Sequence, residues 1–296
     1  MSTFLDNGLY TLGRRQLAIV LRSVLDRYPI VIFSESQEPI DAISESLVKL
    51  VPHRREMVFG SDFVSSSEHE QLVLHEKSDY NGERIIYRAP SSAAQLVSNQ
   101  IIDFRGWIIA TSERNLHEIE NACIQTSASP LILRCKEGKL TIESNGNSDL
   151  FSDTSFELKL LEKVTSETRT RIERITRILK RAAKGKVSER LERSLVDLNH
   201  EEDRVRQSLY REHIQTFVEA AWRVMIILMR LRLLQGVGVK SVLSDKMLRQ
   251  AVDYKGASID RLMEFIKAEW GEDFQTSVED GVGQTFGDRL EGFWTI

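Results

Sequence analysis

The spacing of apolar residues divides the chain into two parts with different predicted secondary structure. In the first part, apolar residues recur at helical spacing, and the continuous apolar run Ile30 to Phe33 follows Pro29. A strand that is apolar on both faces is typical of the interior of a parallel sheet covered by helices. The predicted helices are 14–28, 40–50, 93–101 and 116–124, and the predicted strands are 30–33, 56–60, 84–87, 107–110, 131–134 and 139–143. This alternation predicts an α/β layered domain with a mostly parallel sheet over residues 1–148.

Beyond this domain the pattern changes to long helices. The segment Ser144 to Asp149 contains no apolar residue and predicts a linker. After it, apolar residues step by three and four from Leu161 to Leu179, which is coiled-coil spacing, and Gly185 is suited to cap a helix. The pattern predicts helices over 155–184 and over about 199–235. Two long helices joined by a short return indicate an all-α region with a long antiparallel, coiled-coil-like helical arm.

Four segments follow from these patterns. Two short helices are expected to begin near Ser244 and Ser258, and the last residues are rich in glycine and acids. The predicted division is an α/β domain without a phosphate-binding loop over 1–148, a helical hairpin or arm over 149–240, a short helical pair packed on the base over 241–271, and an acidic, glycine-rich tail over 272–296.

Composition and charge exclude several classes of protein. Lysine plus arginine is 40 and aspartate plus glutamate is 44, so the formal net charge of -4 argues against a chain that is cationic throughout. Cys123 and Cys135 form no Cys-x-x-Cys pair, which favours two reduced buried thiols over structural zinc. The segment Met1 to Asn7 lacks the apolar core of a signal peptide, and Trp222 to Leu234 is too short and too charged to span a membrane. We therefore expect a cytoplasmic protein with no membrane partner.

The carboxyl ends of the predicted strands are a candidate ligand-binding crevice, because α/β domains bind ligands there. Small hydroxyl residues at helix starts could hold an anion, although serine and threonine are also the preferred N-caps and occur there without a ligand. Glu35 and Asp62 are candidate carboxylates for acid–base or metal chemistry, and capping and solvation explain them equally well. The candidate anion-binding residues are Ser36, Ser61, Ser91, Ser92, Thr111 and Ser112.

The usual signatures of nucleotide and metal sites are missing. A phosphate-binding loop requires glycine and lysine, whereas residues 34–48 contain neither and carry four carboxylates. His69 and His75 lie in an acidic segment that we interpret as a solvated loop, and His53 precedes a strand where it could assist an anion site. No Gly-x-Ser-x-Gly elbow supports a serine nucleophile. We therefore expect no cofactor and no metal, and the chain is more typical of a non-enzymatic protein than of an enzyme.

The predicted arm carries a concentration of positive charge. Between Arg169 and Arg193 there are ten basic residues and three acids, and several of the basic residues share one helix face. A basic stripe on a rigid helix suits nucleic-acid phosphates or an acidic protein surface. A solvated face, or pairing with Glu201-Glu202-Asp203 on the return helix, explains the stripe as well. The candidate partner-binding residues are Arg169, Arg171, Arg174, Arg177, Lys180, Arg181, Lys184, Lys186, Arg190 and Arg193.

These observations favour a non-enzymatic interaction, scaffold or regulatory protein whose basic arm contacts nucleic acid or an acidic protein partner. Two alternatives stay open. One is an enzyme or anion-binding protein that uses the strand-end crevice for a phosphate-bearing or metal-bound substrate. The other is a structural component that forms homo-oligomers through the apolar seam of the arm.

Overall fold

The computed structural model describes residues 9–34, 40–60, 65–78, 84–94, 100–101, 104–125, 129–143, 153–183, 198–238, 243–274 and 278–279. The chain forms two compact units, Met1–Ile214 and Gln215–Ile296. The four-segment division predicted from the sequence stays a prediction.

The first unit is built on a mostly parallel sheet. Its strands are β1 (Ile30–Ser34), β2 (Arg55–Val58), β3 (Ile85–Ala89), β4 (Trp107–Ser112), β5 (Leu131–Lys136) and β6 (Lys139–Glu143). Its helices are α1 (Arg14–Leu25), α2 (Ile40–Val48), α3 (Ser66–Ser78), α4 (Glu113–Gln125) and α5 (Ser155–Ala183), and a short 3-10 turn spans Leu9–Thr11. The strand order is β2-β3-β4-β1-β5-β6, with β6 antiparallel to β5 and the other neighbours parallel. The predicted α/β domain with a mostly parallel sheet is confirmed.

The central position of β1 explains why its sequence is apolar throughout. Ile30 pairs with Ile108 of β4 on one side and with Leu131 of β5 on the other, and the side chains from Ile30 to Phe33 are fully buried. The core beside β1 contains stacked rings, with 3.8 Å between the centroids of Tyr87 and Phe104. A strand with helices over both faces has no solvent-facing side, so polar residues would each leave a buried group without water.

Helix α3 corrects the expectation of a solvated loop around His69 and His75. Its apolar residues form no single stripe, so the periodicity that reveals the other helices is missing here. The helix start is instead fixed by a capping box: the Ser65 backbone N–H donates to Glu68 Oε2 at 2.8 Å, and the Glu68 N–H donates to Ser65 Oγ at 3.3 Å. These bonds from Ser65 hold the pKa of the Glu68 carboxyl below its usual value. Ser65 and Glu68 have the spacing of a capping box, so the sequence contains a signal for this helix start.

Two long helices follow the sheet, as the apolar spacing predicts. Helix α5 has 29 residues, and α6 (Leu198–Gly236) has 39 residues and contributes to both units. The first half of α5 buries Phe156, Leu160 and Val164 and packs against α1. The C-terminal part of the chain is therefore mostly helical in its described ranges. The predicted helix over 93–101 lies largely outside the described residues.

The second unit contains the last part of α6 with two short helices, α7 (Asp245–Val252) and α8 (Ile259–Trp270), and the two-residue strands β7 (Leu243–Ser244) and β8 (Val278–Glu279). Ser244 and Ser258 cap the short helices as predicted, their hydroxyls accepting from the N–H groups of Met247 and Arg261. Within this unit the rings of Phe217 and Phe265 pack 4.8 Å apart. Over the ranges that the structure describes, neither unit contributes a helix long and apolar enough to cross a membrane.

Candidate functional site

The strand order identifies where the sheet would hold a ligand. The connection after β1 leads through α2 to one side of the sheet, and the connection after β4 leads through α4 to β5 on the other side. Ligands of such sheets bind where neighbouring connections diverge, at the carboxyl ends of the strands. There Ser34 pairs with Ser112; Ser34 is buried and Ser112 is exposed. Thr111 is fully buried, and its hydroxyl donates to the Ser112 carbonyl at 3.4 Å.

Ser91, a second candidate on this edge, is engaged by a carboxylate. Its backbone N–H donates to Asp41 Oδ1 and its hydroxyl donates to Asp41 Oδ2, both at 2.7 Å. This pair ties the loop after β3 to the first turn of α2. An anion bound to Ser91 would have to replace Asp41 and would lie beside a like charge. The geometry therefore favours the capping interpretation of Ser91, while Ser92 next to it is exposed.

Several candidates of the strand-end crevice fall outside the described residues. They are Glu35, Ser36, Ser61 and Asp62. The proposed carboxylate pair and the anion-binding roles of Ser36 and Ser61 therefore stay predictions. Among the described candidates, the structure brings Thr111 and Ser112 to the end of β4, beside Ser34.

The described arginines of α5 form an exposed surface, which we call the α5 arginine face. Arg169 Nε lies 3.2 Å from Glu173 Oε1, and Arg177 Nη2 lies 3.6 Å from the other oxygen of the same carboxylate. Arg171 reaches Glu212 of α6 at 3.9 Å. Arg174 is exposed and has no ion pair within the described part of the chain. The α5 arginine face consists of Arg169, Arg171, Arg174 and Arg177.

The remaining basic candidates lie at or beyond the end of α5. Lys180 and Arg181 belong to its last turn, and nothing is described of their side chains; Lys184, Lys186, Arg190 and Arg193 lie outside the described residues. Their proposed roles stay predictions.

The acidic patch on α6 is satisfied within its own helix. Glu201 pairs with Arg204 at 3.1 Å, while Glu202 and Asp203 both pair with Arg206. In the described ranges these carboxylates therefore do not neutralise the α5 arginine face. The contacts that join α5 to α6 are different ones: His213 Nε2 lies 2.9 Å from Glu167 Oε2, close to the Arg171–Glu212 pair.

A cavity at the amino ends of the parallel strands, which we call the amino edge of the sheet, was not predicted as a site. It has a volume of about 170 Å³ and lies where α2 connects to the start of β2. Lys49 and Arg54 line it from this connection, and Gln207, Tyr210 and Arg211 line it from α6. The sequence contained one signal, the basic segment Pro52 to Arg55 in front of a strand. The α6 residues lie some 150 positions later in the chain, so no local pattern joins them to it.

Comparison with known protein families, with curated proteins and with solved structures finds no match for this chain.

The two thiols and the acidic residues limit the chemistry available. Burial, with a contribution from Glu120, raises the pKa of the Cys123 thiol to about 11. Cys123 is therefore uncharged at neutral pH and a poor nucleophile. Cys135 is likewise a buried free cysteine. Within the described ranges, no group of three or more histidine, cysteine, aspartate or glutamate side chains could hold a metal ion.

Proposed function

We propose that this chain is a non-enzymatic interaction protein that binds nucleic acid through the α5 arginine face. The exposure of Arg174 without a carboxylate partner in the described residues is the observation that supports this proposal most directly. The ion pairs of Arg169, Arg171 and Arg177 are solvent-exposed, with the arginine side chains 82%, 52% and 74% accessible. Exposed pairs of this kind contribute at most about 1 kcal/mol, so a phosphate can replace the carboxylate at small cost.

The spacing of these arginines suits a linear polyanion. Arg169 and Arg177 are eight residues apart, which is about 12 Å along a helix at 1.5 Å per residue. Successive phosphates of one DNA strand rise about 3.4 Å along the duplex axis, so the face would lie alongside several of them. Arginines that contact phosphates provide affinity without sequence specificity. We therefore favour nucleic acid over an acidic protein surface, which has no regular charge spacing.

The same proposal includes the arm. We propose that α5 and α6 form an antiparallel, coiled-coil-like hairpin that presents the arginine face. Two contacts support this arrangement: Glu167 meets His213, and Arg171, one turn later on α5, meets Glu212, one residue earlier on α6. The half-buried residues Ile172 and Ile175 continue the apolar seam on the same helix.

Charge reversal tests the proposed function. Duplex DNA is titrated at several salt concentrations against the wild type and against the triple variant Arg171→Glu, Arg174→Glu, Arg177→Glu. The matched control is Arg15→Glu, Arg114→Glu, Arg230→Glu, which changes the net charge equally at exposed arginines without described partners. We expect salt-dependent binding of the wild type and the control, and a loss of more than about tenfold in the face variant. Equal losses in both variants, or no binding by the wild type, would reject the proposal.

A second candidate function has one specific observation in its favour. The connections after β1 and β4 diverge beside Ser34 and Ser112, which is the usual position of a ligand in an open α/β sheet. An anion-binding protein or an enzyme acting on a phosphate-bearing substrate would use this position. Amide chemical-shift changes of Ser112 on addition of a nucleoside phosphate would support it. Unchanged shifts at saturating ligand would remove it.

A further inference from the structure

The cavity at the amino end of β2, which we call the amino-edge cavity, has the composition of an anion site. Its volume of about 170 Å³ is close to that of an engineered protein cavity of about 150 Å³ that admits benzene. Three cationic side chains, Lys49, Arg54 and Arg211, line it together with one carboxylate, Glu56. The charge of Glu56 is balanced from the neighbouring strand, since Arg88 Nε donates to Glu56 Oε1 at 2.5 Å. The cavity therefore has an excess of positive charge.

Two of the polar walls are held rigidly by structural hydrogen bonds. The Arg54 guanidinium donates to the carbonyls of Val24 and Leu25, both at 2.7 Å, at the C-terminal end of α1. These carbonyls carry the negative end of the helix dipole, so the buried guanidinium is compensated there. On the α6 side, the Tyr210 hydroxyl donates to the Leu50 carbonyl at 2.7 Å and fixes the helix against the α2–β2 connection. The shape of the cavity is thus preformed, which lowers the cost of binding.

The α6 wall also presents polar groups that the fold does not use. Gln207 and Arg211 are four residues apart, so they lie on the same helix face, and both line the cavity. Within the described part of the chain, neither side chain makes a hydrogen bond or an ion pair. The guanidinium of Arg211 offers donors in a planar fork, and the Gln207 amide offers an N–H donor one turn away.

We propose that the amino-edge cavity binds a phosphate group, with Arg211 and Lys49 as the cationic donors and Gln207 as a neutral donor. Arginine and lysine together are typical of phosphate recognition, since the first supplies paired donors and the second a compact charge. The apolar residues Val51 and Pro52 in the same wall provide contact for a carbon substituent on the phosphate. This site differs from the α5 arginine face and from the strand-end crevice in every residue that forms it.

Calorimetric titration with inorganic phosphate tests the proposal directly. Phenyl phosphate is titrated in parallel, because it separates a site for the free ion from a site for a phosphate ester. We expect saturable binding of one equivalent to the wild type, and affinity lower by at least about tenfold in Arg211→Gln, the usual consequence of losing a charged hydrogen bond. Tighter binding of phenyl phosphate would assign the site to an ester, and tighter binding of inorganic phosphate to the free ion. Absence of saturable heat with both probes would overturn the proposal.

A matched control separates the site from general charge. Arg230 lies on the same helix, is exposed and has no ion pair in the described ranges, so Arg230→Gln removes the same charge without touching the cavity. Phosphate affinity should be unchanged in Arg230→Gln and lowered again in Lys49→Gln. Equal affinity of Arg211→Gln and the wild type, with both folded by circular dichroism, would contradict the site. The triple variant of the α5 arginine face should retain phosphate binding, which keeps this result independent of the proposed nucleic-acid function.

Discussion

The two edges of the parallel sheet use their polar residues differently. At the carboxyl edge, the exposed Ser91 bonds to the half-buried Asp41 through its backbone N–H and its hydroxyl. At the amino edge, Arg54 is buried, and its donors close the end of α1. The first edge carries the residue types that suggest a site, and the second carries the described cavity. Polar residue type alone therefore did not locate the cavity; the bonds that each side chain makes in the fold distinguish the two edges.

The largest predicted effect is on the free energy of unfolding, and it concerns Arg54 at the amino edge. Replacing Arg54 with leucine removes the side-chain donor of the Leu25 carbonyl and leaves the Val24 carbonyl with the longer bond from the Arg27 N–H at 3.4 Å. This loss should lower the free energy of unfolding by about 3 kcal/mol. Urea denaturation measures the change. Arg105→Leu is the control, because Arg105 is exposed and has no described partner, and its effect should stay within about 0.5 kcal/mol. Equal effects of the two substitutions would contradict the structural role of Arg54.

Tyr210 should show a smaller effect with a distinctive pH dependence. Tyr210→Phe removes the bond to the Leu50 carbonyl and should cost about 1.5 kcal/mol at neutral pH. Burial, and secondarily Glu157, raises the pKa of the Tyr210 hydroxyl well above its usual 10.0. The wild type therefore loses stability as the pH rises above 10.0, because the unfolded chain releases this proton more easily. The variant lacks this loss, so the stability gap should narrow above that pH; a gap independent of pH would contradict the burial of the hydroxyl.

The carboxyl edge should give a modest coupling energy. In a double-mutant cycle of Asp41→Ala and Ser91→Ala, we expect a coupling of about 0.5 kcal/mol, since the hydroxyl bond that the cycle measures is exposed to solvent. The bond from the Ser91 backbone N–H is still present in Ser91→Ala and does not enter the coupling. Urea denaturation of the four proteins supplies the cycle. A coupling of zero would mean that the Ser91 hydroxyl is not held by Asp41, and the role of this hydroxyl as an anion ligand would regain support.

The smallest effect concerns the cap of α3. Nuclear magnetic resonance titration should give Glu68 a pKa below the usual 4.5, and Ser65→Ala should move it back toward that value. The bonds from Ser65 favour the carboxylate form of Glu68. The cap therefore contributes to the stability of the fold above the usual pKa of 4.5, and this contribution is lost as the pH falls through the lowered pKa of Glu68. Gln71→Ala is the control on the same helix, because Gln71 is exposed and contacts neither partner of the capping box. An unshifted Glu68 in the wild type would show that the capping box does not form in solution.

Patterns along the chain predicted much of the architecture, because burial imposes a period on the sequence. The apolar run in β1 and the three-and-four spacing in α5 are direct consequences of which faces are covered. Helix α3 was not predicted because its apolar residues form no stripe, although Ser65 and Glu68 have the spacing of a capping box.

The amino-edge cavity could be predicted only in part. His53, which precedes β2 and is not among the residues that line the cavity, was predicted to assist an anion site. The other wall comes from α6, and nothing local to Gln207 or Arg211 indicates which face of that helix meets Lys49. Such a contact is determined by tertiary packing, and no local pattern in a single sequence predicts it.

The role of the α5 arginine face is tested most directly by the salt dependence of DNA binding in Arg174→Gln. Arg174 is exposed and has no described carboxylate partner, so its substitution removes a phosphate contact without breaking an ion pair. We predict that the slope of log affinity against log salt becomes shallower by about 0.9, the value for one phosphate contact, while Arg230→Gln keeps the wild-type slope. An Arg174→Gln protein with the wild-type slope and affinity would contradict binding through this face.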